Sequence, residues 1–156
     1  MTVNSHAVLS STFQNIRDLG RKASTADAVL VIEGYEGIQL LCKQFPWPVA
    51  TVKDAMESFG PNGQLIGQPQ NTKTKFEGPV AFYETVTGTT DKALIDMIEA
   101  GGVFNATAYA GRPDDNTGSK QILGAFLVMD TPDRDWENDT PLLCAGTIHF
   151  HWFANK

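Results

Sequence analysis

The sequence predicts one mainly β domain, residues 1–156, built as a two-sheet antiparallel sandwich or β-barrel. Most of the chain consists of short alternating or β-branched segments separated by turns rich in glycine and proline. The connections are too short for crossover helices, and no alternating βαβ pattern is present. Helical spacing occurs in two places, so we expect one short helix beside the sheet and one N-terminal helix.

The N-terminal helix is predicted over residues 5–20. Its apolar residues recur at three- and four-residue steps, at Val8, Leu9, Phe13, Ile16 and Leu19. Ser5 suits the N-cap position, and Gly20 suits the end of a helix. The small, polar segment 21–26 is interpreted as a linker.

Two strands are predicted next, at 27–32 and 38–45, joined as a hairpin by the turn at 34–37. The sequence Phe45-Pro46-Trp47-Pro48 then ends regular structure, because each proline lacks a backbone donor and restricts the residue before it. Residues 51–71 show little periodicity and predict a long irregular loop, which is usually functional or an extended arm. A short hairpin turning at Asn62-Gly63 is the alternative.

The second half of the chain combines strands with one helix. A strand is predicted at 72–87, in which Gly78-Pro79 marks a bulge or an edge position. A helix is predicted at 91–100, with Thr90 as its cap and one buried face formed by Leu94, Met97 and Ile98. Further strands are predicted at 103–109, 121–131 and 142–153, separated by a polar loop at 111–119 and a charged segment at 131–141.

Composition excludes several classes of protein. Hydrophobic residues make up 42% of the chain and charged residues 19%, which is too apolar for a disordered protein. The net charge is −6, whereas tight binding to a phosphate backbone needs an excess of Lys and Arg. The apolar run at 28–32 is far shorter than the roughly 20 residues of a spanning helix. We therefore expect no membrane partner, and the start of the chain shows no secretory signal.

The sequence predicts neither an enzyme nor a cofactor. It contains no G-x-S-x-G nucleophile motif and no phosphate-binding loop. His149 and His151 share one face of the last strand, opposite Cys144, Ile148, Phe150 and Trp152, but no third metal ligand has suitable spacing. The acidic residues in and beside the charged segment lack EF-hand spacing and are interpreted as solvated: Asp130, Asp133, Asp135, Glu137 and Asp139.

Cysteine and aromatic residues leave alternatives open. Cys42 and Cys144 are interpreted as buried free thiols, although a bridge between them is possible on sequence grounds. Large aromatic residues beside turns indicate either core packing or an assembly surface, where aromatic residues are enriched. The candidate assembly-surface residues are Phe45, Trp47, Trp136 and Trp152.

The order of these elements resembles the tail tube proteins of contractile phages, which share a fold with the tube proteins of type VI secretion systems and of phage-tail-like bacteriocins. The early strand at 37–43, which leads into Phe45-Pro46-Trp47-Pro48, carries part of this resemblance. The long segment before the strand at 72–84, the short helix at 91–100 and the aromatic-ended strand at 144–153 carry the rest. The resemblance extends from about Phe13 to the end of the chain, as an ordered pattern rather than one motif.

The resemblance implies a tail-tube fold and a structural subunit that forms hexameric rings, stacked around a β-barrel lumen. It implies a location in the phage tail of the virion, with assembly in the host cytoplasm. The implied partners are copies of the chain itself, the tail sheath protein, the tape measure protein inside the tube, and baseplate proteins. DNA would pass through the lumen without specific binding, because an acidic protein repels phosphate.

Residues 51–71 contain four apolar residues that a solvent loop has no reason to display: Met56, Phe59, Leu65 and Ile66. We expect these residues to contact the next ring in a stack. The alternative is that the segment packs back over its own sheet.

Two other functions stay open. The first is a baseplate or tail-terminus adaptor on the same fold, because the charged segment 131–141 and the N-terminal helix depart from the family pattern. The second belongs to another class, a small-ligand-binding β-barrel or an enzyme on a β-sandwich. That class would need polar side chains that converge on a pocket.

Overall fold

The computed structural model describes residues 5–154, and the remaining residues of the predicted 1–156 domain lie outside this range. The described strands and α-helices are α1 His6–Asp18, β1 Val29–Ile32, β2 Cys42–Gln44, β3 Ala55–Phe59, β4 Leu65–Pro69, β5 Lys75–Tyr83, α2 Thr89–Glu99, β6 Phe104–Gly111, β7 Asn116–Met129 and β8 Leu143–His151. Short 3-10 helices lie at Glu36–Leu41 and Pro61–Gly63. The paired strands are antiparallel, and the predicted mainly β class is confirmed.

Six strands form one sheet in the order β1-β6-β7-β8-β5-β2, and β3 and β4 form a separate hairpin. The long strand β7 joins the two halves of the sheet, because its first part pairs with β6 and its second part with β8. The register of both pairings shifts around Gly124, which has a φ of 57°. A bulge of this kind bends a strand, so the two halves face each other across a common core.

The core lies between these two halves and under α2. Phe82 and Phe150 are its largest fully buried side chains, and both come from the half that contains β5 and β8. The opposite half contributes Leu30, Ile32, Ala106, Ala108 and Ile122. The predicted alternation of the last strand is confirmed, because Cys144, Ile148, Phe150 and Trp152 share a buried face, whereas His149 and His151 on the other face are half-buried.

The predicted hairpin between residues 27–32 and 38–45 is wrong. β1 pairs with β6 and β2 pairs with β5, so the two segments lie at opposite edges of the sheet. The 3-10 helix Glu36–Leu41 connects them and inserts Ile38 into the core. The apolar residues at 38, 40 and 41 fit a helical turn as well as a strand, and periodicity cannot separate the two over so short a run.

Residues 51–73 form a projecting β-hairpin, which we call the arm, and not the irregular loop predicted. β3 and β4 pair from Ala55 opposite Pro69 to Phe59 opposite Leu65. Asn62 and Gly63 have φ values of 63° and 72°, so the alternative hairpin that turns at these two residues is confirmed. Every residue of β3 and β4 is exposed, so the arm does not pack over its own sheet.

Gly78-Pro79 lies at an edge position of β5. Of the two predicted alternatives, a bulge or an edge position, the second is confirmed. β8 pairs with the whole of β5, whereas β2 pairs only with Ala81 and Phe82. The missing N–H of Pro79 therefore faces a side without a neighbouring strand. Pro46 packs directly on Gly78, where an added Cβ would lie 2.6 Å from the Cβ of Pro46.

α2 corresponds to the helix predicted at 91–100, but it begins earlier and has a different cap. It starts at Thr89, after Gly88 with a φ of 75°. Thr90 is therefore inside the helix and is not the cap, and its buried hydroxyl donates to the Tyr83 carbonyl at 2.7 Å. The carboxylate of Glu84 accepts from the N–H groups of Thr90 at 3.0 Å and Asp91 at 2.9 Å. The cap comes from the end of β5 instead of from the helix itself.

The buried face of α2 is also rotated from the predicted one. Thr90, Ala93 and Met97 are buried, whereas Leu94 is half-buried and Ile98 is 70% exposed. The prediction is therefore confirmed for Met97 and in part for Leu94, which packs against the core, and it is wrong for Ile98. The hydrogen bond from the Thr90 hydroxyl to the Tyr83 carbonyl holds the side of α2 with Thr90, Ala93 and Met97 inward.

The Glu84 cap predicts a pH-dependent stability. Burial raises the pKa of Glu84, but the N–H groups of Thr85, Thr90 and Asp91 and the charge of Arg134 outweigh it and hold this pKa below its usual value. Such a group stabilises the fold above its unfolded pKa of about 4.3, and the stabilisation is lost as the pH falls through the folded value.

We therefore expect Glu84→Gln to lower the Tm at pH 7 by the equivalent of about 1 kcal/mol. The difference from the wild type should disappear toward about pH 3, as thermal melts at several pH values would show. Glu137→Gln, at an exposed loop residue, is the control and should change the Tm little at any pH. An equal loss of stability from Glu84→Gln at every pH would contradict the carboxylate cap.

α1 agrees with the predicted N-terminal helix. The Ser5 hydroxyl accepts from the Val8 N–H at 3.4 Å, and Gly20, with a φ of 94°, follows the helix end. The charged segment 131–141 has no regular secondary structure, as expected, and β7 begins at Asn116, within the predicted loop. None of the helices in residues 5–154 is long and apolar enough to cross a membrane.

Candidate assembly surface

The arm brings the four predicted inter-ring contact residues together in two pairs. Phe59 and Leu65 are directly opposite each other in the hairpin register and share one face. Met56 and Ile66 lie on the other face, because side chains alternate along a strand. All four are exposed, and Phe59 is 81% exposed. Each face of the arm therefore presents an apolar pair that nothing in the described chain covers.

The base of the arm is held by Lys120, which sequence reasoning missed. Its Nζ lies 5.1 Å from the ring centre of Trp47 and 4.6 Å from that of Trp152, and it donates to the Pro48 carbonyl. Burial lowers the pKa of Lys120, and the two aromatic faces offset part of that cost. Because Pro48 is 72 residues from Lys120, no local pattern could have indicated this contact. The contact fixes the segment that leads into the arm against β7 and β8.

The four aromatic residues predicted for an assembly surface do not form one surface. Trp152 is 9% exposed and packs edge-on against Phe76 at 6.0 Å, so it is a core residue and not a surface one. Phe45 is half-buried against the core. Trp47 is partly exposed at the arm base, and Trp136 is fully exposed in the charged segment. Only these last two remain candidates for contact with another chain.

β1 and β2 are the two edge strands of the six-stranded sheet. A cleft of about 840 Å³ lies between β2 and the segment that leads into β1, and it is lined by residues 23–28 and 42–45, Trp47 and Ala110. An edge strand leaves a row of backbone N–H and C=O groups without partners in the sheet, and another chain can pair with them. The sheet therefore has two edges at which another strand could pair.

His149 contacts one aromatic and one acidic side chain on the half-buried face of β8. The His149 ring stacks on Phe126 with the ring centres 4.9 Å apart, and its Nδ1 lies 3.4 Å from Oε2 of Glu77. Among residues 5–154, no three His, Cys, Asp or Glu side chains are grouped closely enough to hold a metal ion. These contacts orient the imidazole within the sheet face.

Cys42 and Cys144 lie on either side of Phe82 and are free thiols. Since neighbouring strands are about 4.8 Å apart, the two Cα atoms are separated by roughly 9.6 Å, which exceeds the roughly 7 Å limit for a disulfide. The bridge that the sequence left open is therefore excluded. Burial raises the pKa of Cys42 to about 11 and also raises that of Cys144, so both thiols are poor nucleophiles.

Comparison with known proteins found similarity in structure and none in sequence. No family model matches the sequence, and no curated protein is similar to it in sequence. The chain is similar in structure to a chain of the PVC sheath–tube complex, an extracellular contractile injection system in its extended state. The TM-score is 0.56 at 11% identity, over 87% of this chain and 92% of that chain.

Two further similar structures come from the anti-feeding prophage, AFP. For its tube-terminating cap the TM-score is 0.55 at 13% identity, over 84% of this chain and 88% of that chain. For its baseplate, in a six-fold symmetrised reconstruction, the TM-score is 0.52 at 12% identity, over 85% and 93% of the two chains. The predicted fold is confirmed: the chain has a tail-tube-like fold.

Proposed function

We propose that this chain is a structural subunit of a contractile tail tube, which forms hexameric rings stacked around a β-barrel lumen. The observation that carries the proposal is the similarity of the fold to a chain from an extended sheath–tube complex, over 87% of this chain and 92% of that one. The six-fold symmetry of the AFP baseplate, whose chain is also similar, supports six copies in a ring.

Ring formation would use the free edges of the sheet. β1 and β2 stand at the two ends of the strand order, so a neighbouring copy on each side can extend the sheet. A closed ring removes exposed edges altogether, which a separate subunit of this fold cannot do.

Stacking of the rings would use the arm. Its apolar pairs are exposed in the single chain, and burial of one large apolar side chain stabilises by about 1.5–3 kcal/mol. The same contact repeated around a ring would hold successive rings together. The contact of Lys120 with Trp47 and Pro48 would fix the direction in which the arm projects.

The remaining partners follow from this role. The tail sheath protein would surround the tube, the tape measure protein would lie inside it, and baseplate proteins would meet one end. The site of action would be the tail of a virion or tail-like particle. The net charge of −6 suits a lumen through which DNA passes without binding.

A terminator or baseplate adaptor is the second candidate function. The similarity to the AFP tube-terminating cap, at a TM-score of 0.55, is almost the same as that to the sheath–tube chain at 0.56. α1 and the charged segment 131–141 also lie outside the sheet and could contact other tail proteins. A ligand-binding barrel has less support, because Phe82, Phe150, Ile122 and Ile148 are fully buried and fill the space between the two halves.

Negative-stain electron microscopy of the purified protein tests this proposal and separates the candidates. A tube subunit is expected to give long tubes of stacked rings at high protein concentration. Single rings that do not stack would favour the terminator or adaptor instead. Particles of monomer size at every concentration would contradict both.

A further inference from the structure

α1 is an amphipathic helix without a buried residue. The large apolar side chains of α1 and of Leu19, its C-cap residue, are all exposed in the described chain: Val8, Leu9, Phe13, Ile16 and Leu19. At about 100° per residue these five lie on one side, and Ser10, Ser11 and Gln14 lie on the other. An isolated helix of 13 residues is marginally stable in water, so α1 needs a surface that covers its apolar side.

The same chain has an open apolar groove that α1 does not line. It has a volume of about 190 Å³ between α2 and the adjoining parts of β6 and β7, and its side-chain lining is apolar: Leu94, Met97, Ile98, Phe104, Leu127 and Met129. The groove is lined by all three residues of α2 that the sequence predicted to be buried, Leu94, Met97 and Ile98. No residue of α1 contributes to its lining.

The two surfaces are also complementary in charge. α2 has a net charge of −2, from Asp91, Asp96 and Glu99 against Lys92. The end of α1 and the residues after it have a net charge of +2, from Arg17, Arg21 and Lys22 against Asp18. Opposite charges beside an apolar contact favour association and fix its orientation.

We propose that α1 of one copy docks in the groove between α2 and β7 of a neighbouring copy. This docking deepens the proposed tube function and rests on it. In the single chain α1 does not occupy the groove, although only residues 19–28 separate α1 from β1. We therefore assign the groove to α1 of a second copy and not to α1 of the same chain. The contact joins two different surfaces, so it is heterologous and can continue from copy to copy around a ring.

Cross-linking between two separately tagged variants tests the docking. Phe13→Cys places a thiol on the apolar side of α1, and Ile98→Cys places one at the groove. After the two proteins are mixed and assembled, a short bis-maleimide is expected to join one tagged chain to the other. Gln14→Cys, on the polar side of α1, is the matched control and should give at least tenfold less of the mixed product with Ile98→Cys. Wild type, with Cys42 and Cys144 only, gives the background.

The same samples are imaged by electron microscopy, so the docking and the tube function can fail separately. Rings without the mixed product would overturn the docking and leave the tube function standing. The mixed product without rings would support the docking and contradict the tube function. A variant with both Phe13→Cys and Ile98→Cys that cross-links only within one chain would also overturn docking between copies.

Discussion

Shortening the arm is expected to abolish long tubes while the subunit stays folded. In this variant residues 56–68 are replaced by a tight Asn-Gly turn that joins the paired Ala55 and Pro69, which removes all four apolar residues: Met56, Phe59, Leu65 and Ile66. Because every residue of β3 and β4 is exposed, no core contact is lost, and the Tm of the subunit should be unchanged within error. Electron microscopy should show subunits or separate rings in place of tubes.

A milder pair of variants separates the apolar contacts from the length of the arm. Phe59→Ser with Leu65→Ser removes the apolar pair from one face and should reduce stacking strongly, because about 1.5–3 kcal/mol per buried side chain is lost in every subunit of a ring. Ser58→Ala with Gln68→Ala changes polar residues of the same hairpin and is the control. Normal tubes from the shortened protein would contradict the stacking role, and a large fall in the subunit's Tm would show that the arm packs on its own sheet.

Gly146→Ala is expected to destabilise the fold strongly for a change of one methyl group. An added Cβ would lie 2.3 Å from the carbonyl oxygen of Val128 and 2.7 Å from the Cα of Met129. Both are backbone atoms of β7, so the clash can be relieved only by separating β7 from β8. β7 is the strand that joins the two halves of the sheet. Overpacking of this kind costs about 1–3 kcal/mol, and each kcal/mol lowers the Tm by about 2–4 °C in a chain of this size.

Gly37→Ala is the matched control for Gly146→Ala. Gly37 lies in the 3-10 helix Glu36–Leu41, its φ is not positive, and an added Cβ would meet no atom within 4 Å. The Tm of the Gly37→Ala variant in a thermal melt should stay close to that of the wild type. If Gly146→Ala melted at the wild-type temperature too, the close approach of β7 and β8 would be contradicted.

Strand β8 and helix α1 could be predicted from the sequence because their signals are local. In β8, the alternation of Cys144, Ile148 and Phe150 with polar residues marks the buried face directly. In α1, the spacing of apolar residues and the Ser5 cap both lie within the helix. The pairing of β1 with β6 joins residues about eighty positions apart, and no local pattern in either strand indicates the partner.

The candidate site was predicted in part. The apolar residues of the arm were recognised because they stand in a segment rich in glycine, proline and amides, where such residues are unusual. Their arrangement as two pairs on opposite faces depends on the hairpin register, which an irregular loop does not have. The prediction for Trp152 is wrong because an aromatic residue near the end of a strand is equally typical of the core and of a surface. The contact of Trp152 with Lys120 joins distant parts of the chain, so no local pattern indicates it.

The mass of the assembled protein tests the central claim most directly. Native mass spectrometry, or light scattering at high protein concentration, should detect a species of six times the chain mass of 17.0 kDa, together with larger species built from that unit. A closed ring is expected because both edges of the sheet are free, and in a ring each edge strand can pair with an edge strand of the neighbouring copy. A single species of 17.0 kDa at every concentration would contradict the tube subunit.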